Sequence, residues 1–442
     1  MPRRGAEKYK EIKKISWGVV FTILGCILFN MGYFKPNLSW ERINWLLISL
    51  FTVSLGLALF TSKGNTWAHL SRIFVGIIFT YSGIVKAIDP LGSAYKFGDY
   101  FDTWHLKFMG PYAVPLAIFM SIAELMVGFA LLFNIFLEWA ALGALIFMVY
   151  FTPVTLYLAF QQNLTGKELV HDCGCFGDAL ILTNWQTFIK NLILLIPTIV
   201  IYKKRLKIRA ILLESSQLIF LGVFFLFGAG IAYMGMEHLP IIDFRPYKIG
   251  TNILQKMTIP VGAPQPKYEY HLFYKNNKSG ETKEFSLENY PKAPSWTFVD
   301  TKNVLIEEGY VPPIHDFSIV NATDGDITQK VLTDKNFNFL VVAYDINKTD
   351  LKHIKQFSEL YNWCKAKGIG FRCLTSSVER DIEFFKKKTG VTFPFYTTDA
   401  TTLKTVVRSN PGLVMLKNGT VKDMWHHNDI PKVEYFNEII NK

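Results

Sequence analysis

The sequence has few cysteines and few charged residues for its length, and both shortages restrict the kind of protein it encodes. Five cysteines in 442 residues are too few for a scaffold held together by disulfides. Only 19% of the residues are charged and 50% are hydrophobic, which excludes an ordinary soluble enzyme. No small-residue cleavage site follows the first apolar run, so that run predicts a signal anchor rather than a cleaved signal peptide.

The net charge of +11 does not indicate a nucleic-acid partner. The basic residues of the chain cluster at 3–14 and 203–209, beside apolar runs, where a membrane protein places them. We therefore predict that the bilayer, and not nucleic acid, is the partner of this basic chain.

Seven apolar runs have the length of membrane-spanning helices, about 20 residues. They cover residues 16–34, 45–61, 68–88, 112–133, 139–160, 185–202 and 211–234. With seven spans, the two basic clusters fall on one side of the membrane, which is predicted to be the cytoplasmic side. The loop 162–184 and everything after residue 234 then lie on the opposite side.

The polar loop 162–184 carries two cysteines, Cys173 and Cys175, on either side of Gly174. Thiolate is the nucleophile of thiol–disulfide exchange. Glycine lets the chain bend enough to bring two sulfurs within bonding reach, although the geometry is demanding at this spacing. A disulfide here would close a very small ring, so we expect it to be strained, easily reduced and reactive.

Three neighbouring side chains favour redox chemistry in this loop. His171 would face the same way as Cys173 in an extended backbone and would tune its thiolate. Asp172 or Asp178 would assist proton transfer. A static disulfide, two reduced thiols and a metal site that includes His171 and Asp178 remain alternatives, but no closed set of four ligands is evident and no metal is predicted.

Glu124 lies near the middle of the run 112–133, where a carboxylate is costly. We expect it to face the bundle interior near Tyr81 or Ser82, either handling protons, tying helices together or protonated and hydrogen-bonded. Lys86 is close enough to the end of its run to snorkel to the interface. The aromatic-rich stretch 89–111 is predicted to be a loop whose rings anchor the bundle or hold a flat quinone ring.

Residues 68–202 resemble the DoxX/MauE family of four-helix membrane proteins. The resemblance rests on Arg72, Gly76, Tyr81-Ser82-Gly83, Lys86, Asp89-Pro90, Ala123-Glu124-Leu125, Gly128 and Cys173-Gly174-Cys175-Phe176-Gly177. The last stretch points to the MauE branch, which is associated with disulfide formation in a periplasmic partner. The resemblance implies thiol or sulfur redox chemistry, possible coupling to membrane quinone, and location in a bacterial inner membrane with a periplasmic C-terminal domain.

The C-terminal residues predict soluble structure. Residues 268–274 and 282–287 read as a β-hairpin. From 314 onward strands and helices alternate, which indicates an α/β layer fold. The predicted strands are 337–344, 369–374, 413–416 and 421–425, and the predicted helices are 350–365, capped by Thr349, 378–389 and 433–440.

This C-terminal part resembles a thioredoxin-like domain. The stretch that contains Asn410, Pro411 and Gly412 corresponds to the family's cis-proline loop, which lies beside the active site. The family's Cys-x-x-Cys is missing, since residues 344–349 occupy its place without any cysteine. The resemblance therefore implies a domain that binds a partner beside Pro411 without dithiol catalysis. Cys364 and Cys373 are expected to be buried, and a disulfide between them is left open.

These patterns divide the chain into five regions: 1–67, 68–202, 203–236, 237–311 and 312–442. They lead to two functional hypotheses. The first is an inner-membrane thiol–disulfide oxidoreductase that acts through Cys173 and Cys175 on a periplasmic thiol partner. The second is a non-catalytic scaffold whose thioredoxin-like domain holds a periplasmic protein or envelope complex. A transporter is a weaker hypothesis, because the spans show no matching halves.

Overall fold

The computed structural model describes residues 65–440 apart from 166–169, 171, 211, 265–266, 292–293 and 308, together with residues 23, 49–50 and 52–54. It divides into two compact units, Met1–Phe244 and Arg245–Lys442. The boundary falls within the predicted connector 237–311. The predicted spans 16–34 and 45–61 lie, apart from a few positions, outside the described residues.

The described part of the first unit is helical. Its helices are α1 (Thr66–Ile88), α2 (Pro90–Thr103), α3 (Ala113–Phe133), α4 (Leu137–Thr165), α5 (Asn184–Lys204) and α6 (Glu214–Glu237). Five stretches are long and apolar enough to cross a membrane: Thr66–Ile88, Lys107–Phe133, Leu137–Gln162, Asn184–Lys207 and Glu214–Glu237. Each matches a predicted span, so the unit is a membrane helix bundle.

Helix α1 is the centre of this bundle. Its apolar window is 72% buried, against 17–33% for the windows of the other four spans. It packs most extensively against α3, and glycines permit the close approach. A Cβ on Gly83 would lie 2.5 Å from the backbone nitrogen of Leu125, and one on Gly128 would lie 2.4 Å from that of Thr80. Only glycine fits at either point of the crossing.

The prediction that residues 89–111 form a loop is wrong, because most of this stretch is helix α2. The Asp89 side chain accepts a hydrogen bond from the backbone nitrogen of Gly92 at 2.9 Å, and Pro90 occupies the first helical position. Both are helix-start signals. The buried ring of Phe101 packs against α3 residues and that of Tyr100 packs beside Leu158 of α4. These rings therefore stabilise the bundle itself.

The second unit begins with a short helix and a small antiparallel sheet. Helix α7 (Ile253–Met257) precedes strands β1 (Lys267–Asn276), β2 (Thr282–Ser286) and β3 (Trp296–Glu307), arranged in the order β2-β1-β3. The hairpin of β1 and β2 confirms the predicted one. Strand β3, which pairs with β1 along its length, was not predicted.

A seven-stranded sheet forms the core of the rest of this unit. Its strands are β4 (Val320–Asn321), β5 (Gly325–Asp326), β6 (Phe337–Val342), β7 (Gly370–Thr375), β8 (Phe395–Thr397), β9 (Gly412–Lys417) and β10 (Thr420–His426). The remaining helices are α8 (Thr328–Leu332), α9 (Ile354–Lys367), α10 (Glu379–Thr389), α11 (Ala400–Val406) and α12 (Val433–Ile440).

The topology of this sheet is thioredoxin-like, as predicted. Its strand order is β10-β9-β6-β7-β8-β4-β5. Strands β6 and β7 are parallel and joined by α9, whereas β9 pairs antiparallel with both β6 and β10. A parallel βαβ unit, an antiparallel hairpin and a closing helix make up this fold. The Asn410–Pro411 peptide bond is cis, as the resemblance implied.

One helix boundary in this domain differs from prediction. Helix α9 begins at Ile354 after His353, not after Thr349. Thr349 instead follows a single turn of 3₁₀ helix, Ile346–Lys348, and donates a hydrogen bond to the carbonyl oxygen of Asp345 at 3.0 Å. The threonine therefore closes a turn in the connection after β6.

The glycine crossing gives a testable prediction. Gly83→Ala should lower the free energy of unfolding by about 1–3 kcal/mol, because the new methyl group meets the backbone of α3. Thermal unfolding of the purified protein in detergent measures this change. Gly230→Ala on α6 is the matched control, since a Cβ there meets nothing within 4 Å. Equal stability of the two variants would contradict the close crossing.

Candidate functional site

The loop before α5 places the two cysteines. Gly174 has a φ of +66° and Gly177 a φ of +51°, values in the left-handed region that favours glycine. They bend the chain around Cys175 and into the 3₁₀ turn Gly177–Ala179. Helix α5 then starts with a capping box, in which Thr183 and Gln186 satisfy each other's backbone nitrogens.

Contacts from helices α1 and α2, together with a hydrogen bond within the loop, hold this loop in place. One carboxylate oxygen of Asp172 accepts from the Gly174 nitrogen at 2.7 Å, and the other pairs with Lys96 of α2 at 2.6 Å. Ser82 of α1 donates to the Cys175 carbonyl oxygen at 2.5 Å, and Tyr100 of α2 donates to that of Cys173 at 3.4 Å. Asp172 therefore positions the loop through its turn and its ion pair.

A cavity of about 70 Å³ adjoins both cysteines. Residues from α1, α2, α3, α4 and α5 line it together with Cys173, Gly174, Cys175 and Phe176. Much of the lining consists of apolar and aromatic side chains, among them Phe79, Phe97, Phe147 and Phe151. Polar atoms enter from Ser82, Lys86, Lys96, Tyr100, Glu124, Lys190 and Asn191.

Two charged groups inside the membrane spans meet in this cavity. The Lys86 ammonium and a Glu124 carboxylate oxygen lie 2.6 Å apart, and both side chains are largely buried. Lys86 therefore pairs with Glu124, and the expectation that it snorkels to the interface is wrong. Glu124 faces the bundle interior as predicted and ties α1 to α3. Gly83 and Gly128 flank the pair by one turn on their helices, so the close crossing positions it.

Lys190 approaches the cysteines from α5. Its ammonium nitrogen lies 4.6 Å from the centroid of the Phe176 ring, within the range of a cation–π contact. The Phe176 ring in turn packs against Tyr81, with centroids 5.7 Å apart. The phenylalanine of the Cys-Gly-Cys-Phe-Gly stretch thus holds a cation beside the thiols.

The two thiols are free and bonded to each other by a hydrogen bond. The Cys173 thiol donates to the Cys175 sulfur, and this bond lowers the pKa of Cys175 to about 6 against the opposing effect of burial; Lys190 and Lys86 lower it further. As the donor, Cys173 has a pKa raised well above the ordinary value by that hydrogen bond and by burial. The two shifts favour the thiolate form at Cys175 over Cys173.

The structure brings only some of the predicted site residues together. Cys173, Cys175 and Glu124 line the cavity, and Asp172 pairs with Lys96, which also lines it. His171 is outside the described residues. Asp178 lies in the 3₁₀ turn Gly177–Ala179 and is not among the residues that line the cavity. Within the described ranges, no group of three or more His, Cys, Asp or Glu side chains is placed to hold a metal ion.

Lys96, Tyr100 and Lys190 were missed in the sequence. Lys190 carried a usable signal, because it lies inside an apolar run, where a cation is as unusual as Glu124. Lys96 and Tyr100 carried none, since their stretch reads as a loop and only the packing of α2 turns them toward the cysteines.

The loop around Pro411 in the second unit is tied to the turn that replaces the Cys-x-x-Cys. Asn410 donates to the carbonyl oxygen of Asp345 at 2.9 Å and accepts from the Thr349 hydroxyl at 3.3 Å. Pro411 and Gly412 are buried. The chain's own turn therefore lies against this loop.

The two cysteines of the thioredoxin-like domain are free thiols. Cys364 and Cys373 are both buried, which confirms their predicted burial. Desolvation raises the pKa of Cys364 to about 12 and that of Cys373 still further. Neither thiol is activated for exchange at neutral pH.

The fold and the site describe a membrane protein with a thiol pair at a cavity between its helices. Residues 64–203 match the family described as methylamine utilisation protein MauE, so this part of the chain is a MauE-family domain. Residues 268–308, which cover the small sheet, match a domain of unknown function, DUF8463. No curated protein matches the chain.

One solved structure is similar to the C-terminal part. It is the solution structure of a candidate protein disulfide isomerase from Bacteroides thetaiotaomicron, 19% identical, with a TM-score of 0.24. The match covers 29% of this chain and 87% of that chain.

The hydrogen bond between the thiols gives a prediction for pH dependence. The thiolate is the reactive form, so alkylation of Cys175 should reach half its maximal rate near pH 6 and rise with pH. Replacing the donor, Cys173→Ala, should move this midpoint upward toward the ordinary thiol value of about 8.5. This midpoint is measured by iodoacetamide labelling with site assignment by mass spectrometry, in a variant that lacks the other three cysteines. An unchanged midpoint would show that Cys173 does not stabilise the thiolate.

Proposed function

We propose that this protein is an inner-membrane thiol–disulfide oxidoreductase that acts through Cys173 and Cys175. The observation that carries the proposal is the pair of free, hydrogen-bonded thiols at a cavity lined by lysines. Structural thiols are inert when buried in apolar surroundings, whereas cations beside a thiol favour its reactive form. The MauE-family match of residues 64–203 supports the same reading.

The chemistry follows from the different environments of the two sulfurs. The Cys175 thiolate attacks a partner disulfide, forms a mixed disulfide and releases one partner thiolate. Cys173 then loses its proton and attacks the Cys175 sulfur, which closes the Cys173–Cys175 disulfide and releases the second partner thiolate. Two electrons pass to the partner. In reverse, a partner thiolate attacks the Cys175 sulfur and expels Cys173, which forms the same mixed disulfide. The second partner thiolate then attacks the partner sulfur of that mixed disulfide, and Cys175 leaves as the thiolate, because the thiol of lower pKa is the better leaving group.

As a site for a quinone electron acceptor, the cavity fits only in part. Phe79, Phe97, Phe147 and Phe151 would face the ring, and a bound quinone would supply a two-electron acceptor. The cavity volume of about 70 Å³, however, is roughly half of the ~150 Å³ that holds one benzene ring. No step of the mechanism is therefore assigned to quinone, and the proposed partner is a thiol or disulfide protein of the periplasm.

A second candidate function is supported by the thioredoxin-like domain. Its turn 344–349 carries no cysteine, and its buried thiols lie away from that position, on α9 and β7. A scaffold that holds a periplasmic protein or envelope complex needs no redox residues in this domain. Asn410, Pro411 and Gly412 would then contribute through the surface around their loop. In the first proposal the same domain serves as the binding module for the redox partner.

Trapping of mixed disulfides tests the assignment of the two sulfurs. Cys173→Ser should accumulate a covalent complex with the partner in membranes, because the attacking thiol remains and the resolving thiol is gone. Cys175→Ser should form much less complex. Non-reducing electrophoresis, with and without dithiothreitol, measures the ratio, which we expect to exceed tenfold. Cys364→Ser is the control and should behave like the wild type.

The outcomes separate the two candidate functions. Equal trapping by both variants would refute the assigned roles. Absence of any trapped complex, together with a stoichiometric partner that co-purifies with the Cys173→Ser/Cys175→Ser double variant, would favour the scaffold over the oxidoreductase.

A further inference from the structure

Among the described residues at this cavity, the lysines outnumber by one the carboxylates that pair with them. The charged groups come from four helices and the cysteine loop: Lys86 on α1, Lys96 on α2, Glu124 on α3, Lys190 on α5 and Asp172 in the loop. Tyr100 on α2 is a further titratable group among the described residues that line the cavity. Lys86 pairs with Glu124 and Lys96 pairs with Asp172, each at 2.6 Å.

Lys190 is the cation left over. Among the described residues no carboxylate pairs with it, and its recorded contact is with the face of the Phe176 ring. An uncompensated charge at a largely apolar cavity is costly unless an anion accompanies it. With Cys175 as a thiolate, three lysines face two carboxylates and one thiolate, and the described charges of the site sum to zero.

We propose that Lys190 is the counter-ion of the site, a positioning residue that Phe176 holds in place for the thiolate of Cys175. When Cys175 is in a disulfide, the same ammonium is free to attract the thiolate of the incoming partner. This second role rests on the proposed function, whereas the first does not. The counter-ion assignment also gives the Cys-Gly-Cys-Phe-Gly phenylalanine a function, since its ring orients the ammonium without neutralising it.

The counter-ion has a consequence for the redox equilibrium. Reduction by a partner dithiol, written R(SH)₂, converts the Cys173–Cys175 disulfide into the Cys173 thiol and the Cys175 thiolate, and it yields the partner disulfide and one released proton. Lys190 stabilises the charged product. Stabilising the reduced form raises the reduction potential of a dithiol couple. Removing the charge should therefore lower that potential and, separately, raise the pH at which Cys175 ionises.

Lys190→Met tests the assignment in the full-length protein in detergent. On protein reduced with dithiothreitol, the midpoint of Cys175 alkylation should rise by about one pH unit, the lower end of the range for a lost neighbouring charge. In glutathione buffers the reduction potential should fall by about 30 mV, which corresponds to a tenfold change in the equilibrium constant. Lys190→Arg should retain both wild-type values.

Two further variants keep the test decisive. Lys203→Met removes the same charge from the exposed end of α5 and should leave the midpoint unchanged. Phe176→Leu keeps Lys190 but removes the aromatic ring that holds its ammonium. It should raise the pH midpoint of Cys175 alkylation by less than Lys190→Met does. If Lys190→Met fails to fold, Lys190→Gln replaces it.

The results distinguish this inference from the proposed function. A wild-type midpoint in Lys190→Met, or an equal shift in Lys203→Met, would overturn the counter-ion assignment. A wild-type pair that never forms a disulfide in any buffer would refute the oxidoreductase instead, while the alkylation profile would still test Lys190.

Discussion

The close crossing of α1 and α3 is the constraint on which the rest of the membrane domain depends. At Gly83 and Gly128 the two backbones approach so closely that no other side chain fits. This approach sets the register of the two helices and so places Lys86 against Glu124. It also leaves Ser82 of α1 at the cysteine loop, where its hydroxyl holds the Cys175 carbonyl. Helix packing thus fixes the position of the cysteine pair.

The electrostatics of the site follow from that packing. Charged side chains between membrane helices are expensive, and they are retained where they pair or where they serve chemistry. Among the described residues of the site, Lys86 and Lys96 are in ion pairs, and the ammonium of Lys190 lies against the Phe176 ring beside the thiols. Burial alone makes a thiol less acidic, as at Cys364. At Cys175 the neighbouring thiol and the lysines outweigh burial, and this contrast separates the two kinds of cysteine in one chain.

Much of this could be predicted from the sequence, because local composition determines it. Apolar length gave the five described spans, and alternating buried strands and helices gave the thioredoxin-like layers. Helix α2 was missed even though Asp89 and Pro90 form a standard helix start, since its many aromatic residues suggested an interfacial loop. The partner of Glu124 was missed for a different reason. Pairing between Lys86 and Glu124 depends on the register of two distant helices, and no local pattern records it.

The thioredoxin-like domain differs from the membrane domain in the environment of its thiols. Its turn 344–349 is bound to the loop of Asn410 by hydrogen bonds in place of a pair of cysteines. The described cysteines of this unit, Cys364 and Cys373, are buried thiols with raised pKa values, so the proposed function assigns the exchange chemistry to Cys173 and Cys175. Under the proposed function, the membrane unit would carry the exchange chemistry and the second unit would bind the partner.

The most direct test of the central claim is the redox state of Cys173 and Cys175 in native membranes, read by thiol-specific mass labelling before and after reductant and oxidant are added. The account predicts a disulfide that dithiothreitol opens, that re-forms when oxidant is restored, and that is lost when either cysteine is replaced by serine. Two thiols that keep the same state under every condition would contradict it.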